Sequence, residues 1–437
     1  MKRRDFIKTG AALSTSVILP FPTLGKAEKI KIAILGAGWW ANEFLMPNML
    51  NTEQFEIIAL CDVDSGALKS TAEKLKDAGH NAPKLFANYK EMYQLPGLEA
   101  VIISTPTHWH ALQFIDACKK GLHVFLEKPI SYDIREGQAM VDAHKKANNV
   151  VIVDFPRTMA DTNDQVKAFI ESGEIGKIYQ VQANINNNEG TLTEKPVPEA
   201  VDFDTYCGPA PMTRYLCSGN GTRLNWRGQH IFSRGILMDW GIHYIHNVRK
   251  IMDLDLPEKI SAIGGITRNV THDNPDHLEV QFDFGELPVI WTHKTWGFTA
   301  TNPDYNIGVY YFGEKGTVFS GDLGWEFFPS GGKEKIAHGD VRFRPGAPEN
   351  LPVLKNIFNK LFTEFAVGIR NNSNAKITNT LPDAFLTTSS VIYGDLAYLT
   401  KSELSIEKST MNVKNNKAAQ DMLKRDYRSP YKHPYYG

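Results

Sequence analysis

At 437 residues, 42% of them hydrophobic, the chain is too long for one ordinary core and has enough apolar material for two. Lys and Arg number 48 against 49 acidic residues, a formal net charge of -1, and no basic block lies beyond the extreme N-terminus, so the composition suits neither a nucleic acid nor an acidic membrane surface as partner. A small neutral ligand fits it better.

Lys2-Arg3-Arg4-Asp5-Phe6-Ile7-Lys8 is a twin-arginine pattern, followed by the apolar run Ala11 to Leu24 and a small-x-small site at Gly25-Lys26-Ala27. Residues 1–27 are therefore expected to be a twin-arginine signal peptide and the mature protein to be periplasmic. The apolar run is short and broken by Pro20 and Pro22, so no stable membrane insertion is expected after cleavage; an uncleaved N-terminal anchor is the alternative. Cys61, Cys118, Cys207 and Cys217 form no Cys-x-x-Cys and no metal-like spacing with His, so buried thiols are expected and no metal. Cys207 and Cys217 are close enough in sequence to bridge in an oxidising compartment.

Residues 28–156 alternate strand and helix. Lys29 to Leu35 is β-rich and runs into Gly36-Ala37-Gly38-Trp39-Trp40-Ala41, the G-x-G-x-x-A turn of a dinucleotide fold: Gly36 for the tight turn, Gly38 for backbone approach to a pyrophosphate, Ala41 for close helix packing. A second strand, Glu56 to Leu60, ends in Cys61-Asp62, where the ribose-binding acid belongs. No Arg follows Asp62, which favours NAD over NADP; the bland alternative is that Asp62 caps a helix over Asp64 to Ala78. Ala100 to Ser104 is a buried strand broken by Thr105-Pro106-Thr107-His108-Trp109-His110, and the ring of His110 is expected either at the nicotinamide side or as a cap, with His108 read as a cap. Leu122 to Leu126 is a further buried strand ending in Glu127-Lys128-Pro129, at the carboxyl edge where open α/β sheets bind ligands. Ile134 to Asn148 reads as an amphipathic helix and Val150 to Phe155 as the last parallel strand, before Pro156-Arg157.

Residues 157–400 change character. After a helix over Ala160 to Ser172 come strands without intervening helices: Lys177 to Asn186, Lys259 to Arg268, His277 to Phe284, Val289 to Trp296, Ile307 to Phe312 and Thr317 to Ser320. The fold class expected is thus an α/β Rossmann domain, a doubly wound parallel sheet, followed by an α+β domain with a large, mostly antiparallel open sheet whose aromatic-rich face suits a homo-oligomer, dimer or tetramer. Residues 401–437 form a C-terminal extension whose tail, Lys424 to Gly437, is basic and tyrosine-rich. A helix over Arg234 to Met252 carries Asp239 and His243 at i and i+4, one face, where a carboxylate can orient an imidazole and stabilise its charged form. A Lys, a His and an Asp converging near a nicotinamide would suffice to oxidise an alcohol; a satisfied core histidine is the bland reading of His243.

Gly36-Ala37-Gly38, Glu127-Lys128-Pro129 and Asp239-x-x-x-His243 match, in order and approximate distance, the glucose-fructose oxidoreductase, inositol dehydrogenase and MocA-like (Gfo/Idh/MocA) family, and the chain resembles its exported members over nearly all of its mature length. The resemblance implies that Lys128 polarises a substrate hydroxyl, that His243 is the general acid/base and that Asp239 orients substrate or His243. It further implies Gly36, Gly38, Trp39, Trp40, Asp62, Thr105, Pro106, His110, Glu127 and Lys128 around NAD, and Arg157, Tyr206, Trp226 and Arg227 toward a carbohydrate or polyol. One departure is Tyr206-Cys207, where the family commonly has Trp-Leu.

Family members include dehydrogenases, reductases and glycosidases, so the resemblance fixes fold better than reaction. Export sharpens the choice. Outside the inner membrane a released cofactor would not be replaced, so NAD is expected to travel tightly bound in the folded protein and to be restored within the site. The expected function is an exported NAD-dependent oxidoreductase of a carbohydrate or polyol hydroxyl. A redox-neutral glycoside hydrolase or lyase working through a transient keto-sugar is the runner-up, and a non-catalytic sugar-binding protein the third reading.

Overall fold

In a computed structural model the described residues are 28–186, 189–268, 271–297, 303–342 and 351–436; the twin-arginine expectation on 1–27 lies outside them. The first domain carries strands β1 Ile30–Leu35, β2 Phe55–Cys61, β3 Lys84–Phe86, β4 Ala100–Ile103, β5 His123–Leu126 and β6 Val151–Val153. They pair in parallel in the order β3-β2-β1-β4-β5-β6. Every residue of β4 is buried, as the unbroken apolar runs require when helices cover both faces. The strand order reverses between β1 and β4, whose carboxyl ends lie side by side and open the crevice of a doubly wound sheet.

The second domain is built on a ten-stranded sheet of β7 Ile178–Asn186, β10 Lys259–Gly265, β11 His277–Asp283, β12 Pro288–Lys294, β13 Ile307–Gly313, β14 Gly316–Ser320, β15 Leu323–Pro329, β16 Ile336–Asp340, β17 Leu404–Glu407 and β18 Asn412–Val413; a small hairpin, β8 Leu192–Glu194 and β9 Leu216–Ser218, stands apart. The order is β16-β15-β14-β13-β7-β12-β11-β10-β17-β18, antiparallel except where β7 runs parallel to β12. Helices Asp161–Glu171, Ile242–Ile251 and Leu381–Thr400 pack on one face of this sheet. The other face leaves Ile263 of β10 at 73% exposure.

Helix Leu351–Asn371 follows the large sheet in sequence but returns to the first domain. Its Phe358, Leu361, Phe362 and Phe365 join Phe55, Phe125 and Ile152 in one core, with Phe362 stacked on Phe125 at 4.7 Å. Each such ring buried is worth about 1.5–3 kcal/mol, so this helix completes the core of the first domain beside the cleft. The C-terminal extension also folds back. Arg425 and His433 bind Glu136 and Asp133 of the first domain, and Arg428 binds Asp204 of the second. All four cysteines are free and buried, Cys207 and Cys217 included. Among the described residues no helix is long and apolar enough to cross a membrane.

Candidate active site

The crevice at the β1/β4 switch opens into a groove of about 820 Å³. Gly36 bends the chain at φ +96°, and a Cβ there would sit 2.8 Å from the Ser104 carbonyl carbon, so no side chain fits. Ser104 Oγ donates to the Gly36 carbonyl at 2.8 Å and locks the two strand ends together. Beyond the turn the chain is helical over 39–51, π-type at Ala41–Leu45, so free N–H groups point back at the glycines. Asp62 lines the groove from the end of β2. Its Oδ2 accepts the Ala37 N–H at 2.7 Å and its Oδ1 the Asp64 N–H at 2.9 Å, while burial raises its pKa. It is not the cap of the next helix; Asp64 is, accepting from Gly66 and Ala67. A turn too tight for a side chain, a helix start and an acid one strand away fit a dinucleotide pyrophosphate and ribose.

Gly36, Gly38, Trp39, Asp62, Thr105 and Pro106 border this groove. Two expectations fail here. His110 lies one turn inside helix Thr107–Lys119, facing the sheet, with its ring nitrogens 2.7 Å from the Pro129 and Thr105 carbonyls. Burial pushes its pKa down to about 4, and it ties two turns together beneath the groove without bordering it. Tyr206, expected toward substrate, borders the dinucleotide groove instead. The cause is docking of helix Phe203–Cys207 onto the first domain, where Trp109 Nε1 and the His108 ring bond the Tyr206 carbonyl at 3.0 and 2.9 Å. His108 is therefore a buried tie, not a cap.

A second pocket of about 840 Å³ adjoins the groove and holds Lys128, Asp239, His243, Arg157, Trp226 and Arg227 together. The Lys128 peptide to Pro129 is cis. Lys128 Nζ donates to Asp239 Oδ1 at 2.9 Å and to the Asp239 carbonyl at 2.7 Å, and Arg227 Nε lies 3.0 Å from Asp239 Oδ2. These two cations hold the Asp239 carboxyl far below the usual range against the cost of burial. The expected Asp239–His243 pairing is absent. Residues Leu237–Gly241 form a π-turn, which widens the i to i+4 step, and both oxygens of Asp239 are taken by stronger donors. His243 Nδ1 is buried without a partner, and burial, then the charges of Lys128 and Arg157, push its pKa well down. The imidazole of His243 is thus held toward its neutral form, not stabilised as a cation by a carboxylate.

Arg157 lines the pocket but is committed to Asp322 by two bonds of 2.9 Å, with its guanidinium over Trp240 and Tyr244. Arg227 lies 4.5 Å over the Trp226 ring. Below Lys128, Glu127 and Asp154 face one another, and Trp40 Nε1 donates to both. Burial, then the neighbouring Asp154, raises the pKa of Glu127, and burial raises that of Asp154. Trp40 and Glu127 border the second pocket, not the groove. Asp154, Tyr244 and Asp322 were absent from the expected set. Asp154 was findable, since it directly follows β6 at the carboxyl edge; Asp322 lies between β14 and β15, and nothing near it in sequence points to Arg157.

Residues 30–155 match the model of the oxidoreductase family with NAD-binding Rossmann fold, and residues 163–319 match the GFO/IDH/MocA C-terminal domain. A glycosyl hydrolase family 109 protein of Stenotrophomonas maltophilia is 31% identical over 134 residues, 29% of either chain. The myo-inositol 2-dehydrogenase of Thermotoga maritima is 22% identical over 299 residues, 67% of this chain and 76% of that one. Three of the curated relatives are matched over only 29%, 45% and 56% of their own lengths. The solved aldose-aldose oxidoreductase of Caulobacter crescentus, complexed with glycerol, superposes with a TM-score of 0.64 at 17% identity, covering 87% of this chain and all of that one, and shares the fold. The chain therefore belongs to the Gfo/Idh/MocA oxidoreductase family, and its first domain is that family's NAD-binding Rossmann domain.

Proposed function

We propose that this chain is an exported NAD-dependent oxidoreductase that acts on a hydroxyl of a neutral carbohydrate or polyol and keeps NAD tightly bound. The observation that carries the reading is the pocket beside the dinucleotide groove, where an ammonium, a neutral imidazole and an ionised carboxylate meet between aromatic walls. NAD, when bound, takes up the hydride of the oxidised carbon. Lys128 would donate to the carbinol oxygen and favour its alkoxide form. His243, neutral at working pH, would receive the hydroxyl proton. Asp239 fixes Lys128 through both its carbonyl and its carboxylate.

Charge pairing supports a neutral substrate. Around Lys128 each cation already has a carboxylate partner, Arg157 with Asp322 and Lys128 and Arg227 with Asp239, while the guanidinium of Arg223, unpaired among the described residues, lies over the glycine turn. The indole rings of Trp226 and Trp240, which border the pocket, suit the C–H faces of a sugar ring. The family 109 relative favours a second reading, in which hydride taken from the sugar is returned to it after a glycosidic bond has been eliminated from the transient ketone and water added.

Export rests on the twin-arginine pattern and the small-x-small site, and tight cofactor binding on the lack of replacement outside the inner membrane. An oligomer built on the open face of the large sheet, where Ile263 stands exposed, belongs to the same reading. The test is to purify the protein without added cofactor, denature it, and identify and count the nucleotide released. Near one NAD(H) per chain is expected; its absence would overturn tight binding.

A further inference from the structure

Chain segment 218–226 of the second domain runs between the two pockets: Thr222, Arg223, Leu224 and Trp226 border both. At its centre Arg223 reaches over the glycine turn of the first domain. A Cβ on Gly38 would lie 2.5 Å from Arg223 Nη2 and 3.7 Å from its Cζ, with nothing else within 4 Å. The space that Gly38 leaves open is therefore filled by a guanidinium from the other domain. Among the described residues Arg223 makes no hydrogen bond or ion pair. The carboxylates nearest in function are engaged elsewhere, Asp62 with the Ala37 and Asp64 N–H groups and Asp239 with Lys128 and Arg227. A guanidinium is always charged and offers a fork of donors matched to two oxygens of a phosphate. Here it stands where the glycine turn admits backbone to a pyrophosphate.

We propose that Arg223 is an anion clamp: it moves off the Gly38 face that it covers and grips the pyrophosphate of the dinucleotide from the second domain, across from the glycine turn. The inference rests on the NAD reading of the groove and gives it a physical cause for retention. A nucleotide bound this way leaves only when segment 218–226 lifts away, and the contact, being exposed, weakens as salt rises.

The test uses the full chain with Arg223→Ala and Arg223→Lys, and reads the dissociation constants of NAD and of ADP-ribose, which shares the pyrophosphate but lacks the nicotinamide, at low and high salt. Arg223→Ala is expected to weaken both ligands by about tenfold or more and to flatten the salt dependence. Arg223→Lys should fall between, since an ammonium keeps the charge without the fork. Matching circular dichroism and unfolding temperature without nucleotide establish that the variants are folded, as the exposed position predicts. Unchanged affinity for both ligands in Arg223→Ala overturns the clamp. So does a loss for NAD alone, which would put Arg223 at the nicotinamide end. Should the wild type bind NAD reversibly and carry none through purification, tight retention fails while the ratio between wild type and Arg223→Ala still decides the clamp. If the wild type binds neither ligand, the NAD reading falls and the clamp with it.

Discussion

Lys128 Nζ is held by two oxygens of one residue, so its direction is set before any substrate arrives. Replacing it with Ala should slow single-turnover oxidation by about 10²–10³, the usual loss when a preorganised donor is removed, with the count of bound NAD unchanged; equal rates in wild type and variant would remove Lys128 from the chemistry. His243 gives a pH prediction. Burial and two neighbouring cations lower its pKa, so the neutral, proton-accepting form persists below the ordinary imidazole range of about 6.5. The single-turnover rate should hold level as pH falls from about 8 to about 6, and an acid limb near 6.5 that vanished in His243→Gln would contradict the assignment. Asp62 bears on cofactor choice: Asp62→Ala should weaken NAD by about tenfold, the worth of a charge-assisted bond, and narrow the preference over NADP. Binding measured side by side with both nucleotides checks this.

Among the elements, those built from unbroken apolar runs or alternation were legible, and those shaped by distant partners were not. The expected strand over Ala100 to Ser104 corresponds to β4 and the glycine turn to the β1/β4 switch, because each depends on residues adjacent in sequence. The His243 helix was expected as a regular α-helix over Arg234 to Met252. Its first turn is π-type, and that local register parts Asp239 from His243 and delivers Asp239 to Lys128 and Arg227. Strands β15 to β18 escaped notice, as did the return of helix Leu351–Asn371 to the first domain, which only its phenylalanine partners reveal. Arg157 was legible as a pocket residue but not its pairing with Asp322, which lies 165 positions away. The tail that follows Lys424 straps the chain's own two domains. Arg425 there satisfies Glu136, whose side chain is fully buried. Arg425→Ala leaves that carboxylate unpaired and should cost about 3–5 kcal/mol of stability. Denaturant unfolding checks it; a loss below about 1 kcal/mol, the worth of an exposed pair, would mean the strap is idle.

For the molecule as a whole, two adjoining cavities lie between two domains: one is bordered by the glycine turn and Asp62 of the NAD-binding domain, the other by Lys128, Asp239 and His243. Segment 218–226 borders both, and the C-terminal strap ties the two domains together. This architecture suits a cofactor that stays while substrates change. The most direct measurement is single-turnover reduction of bound NAD by a panel of neutral aldoses, polyols and glycosides, followed by the near-ultraviolet absorbance of NADH, in wild type and in Lys128→Ala. The account predicts that at least one neutral substrate reduces the bound cofactor in the wild type, and that the same substrate leaves it oxidised in the variant while NAD remains bound. Reduction at the same rate in both, or no reduction by any neutral sugar in a wild type that carries NAD, would contradict it.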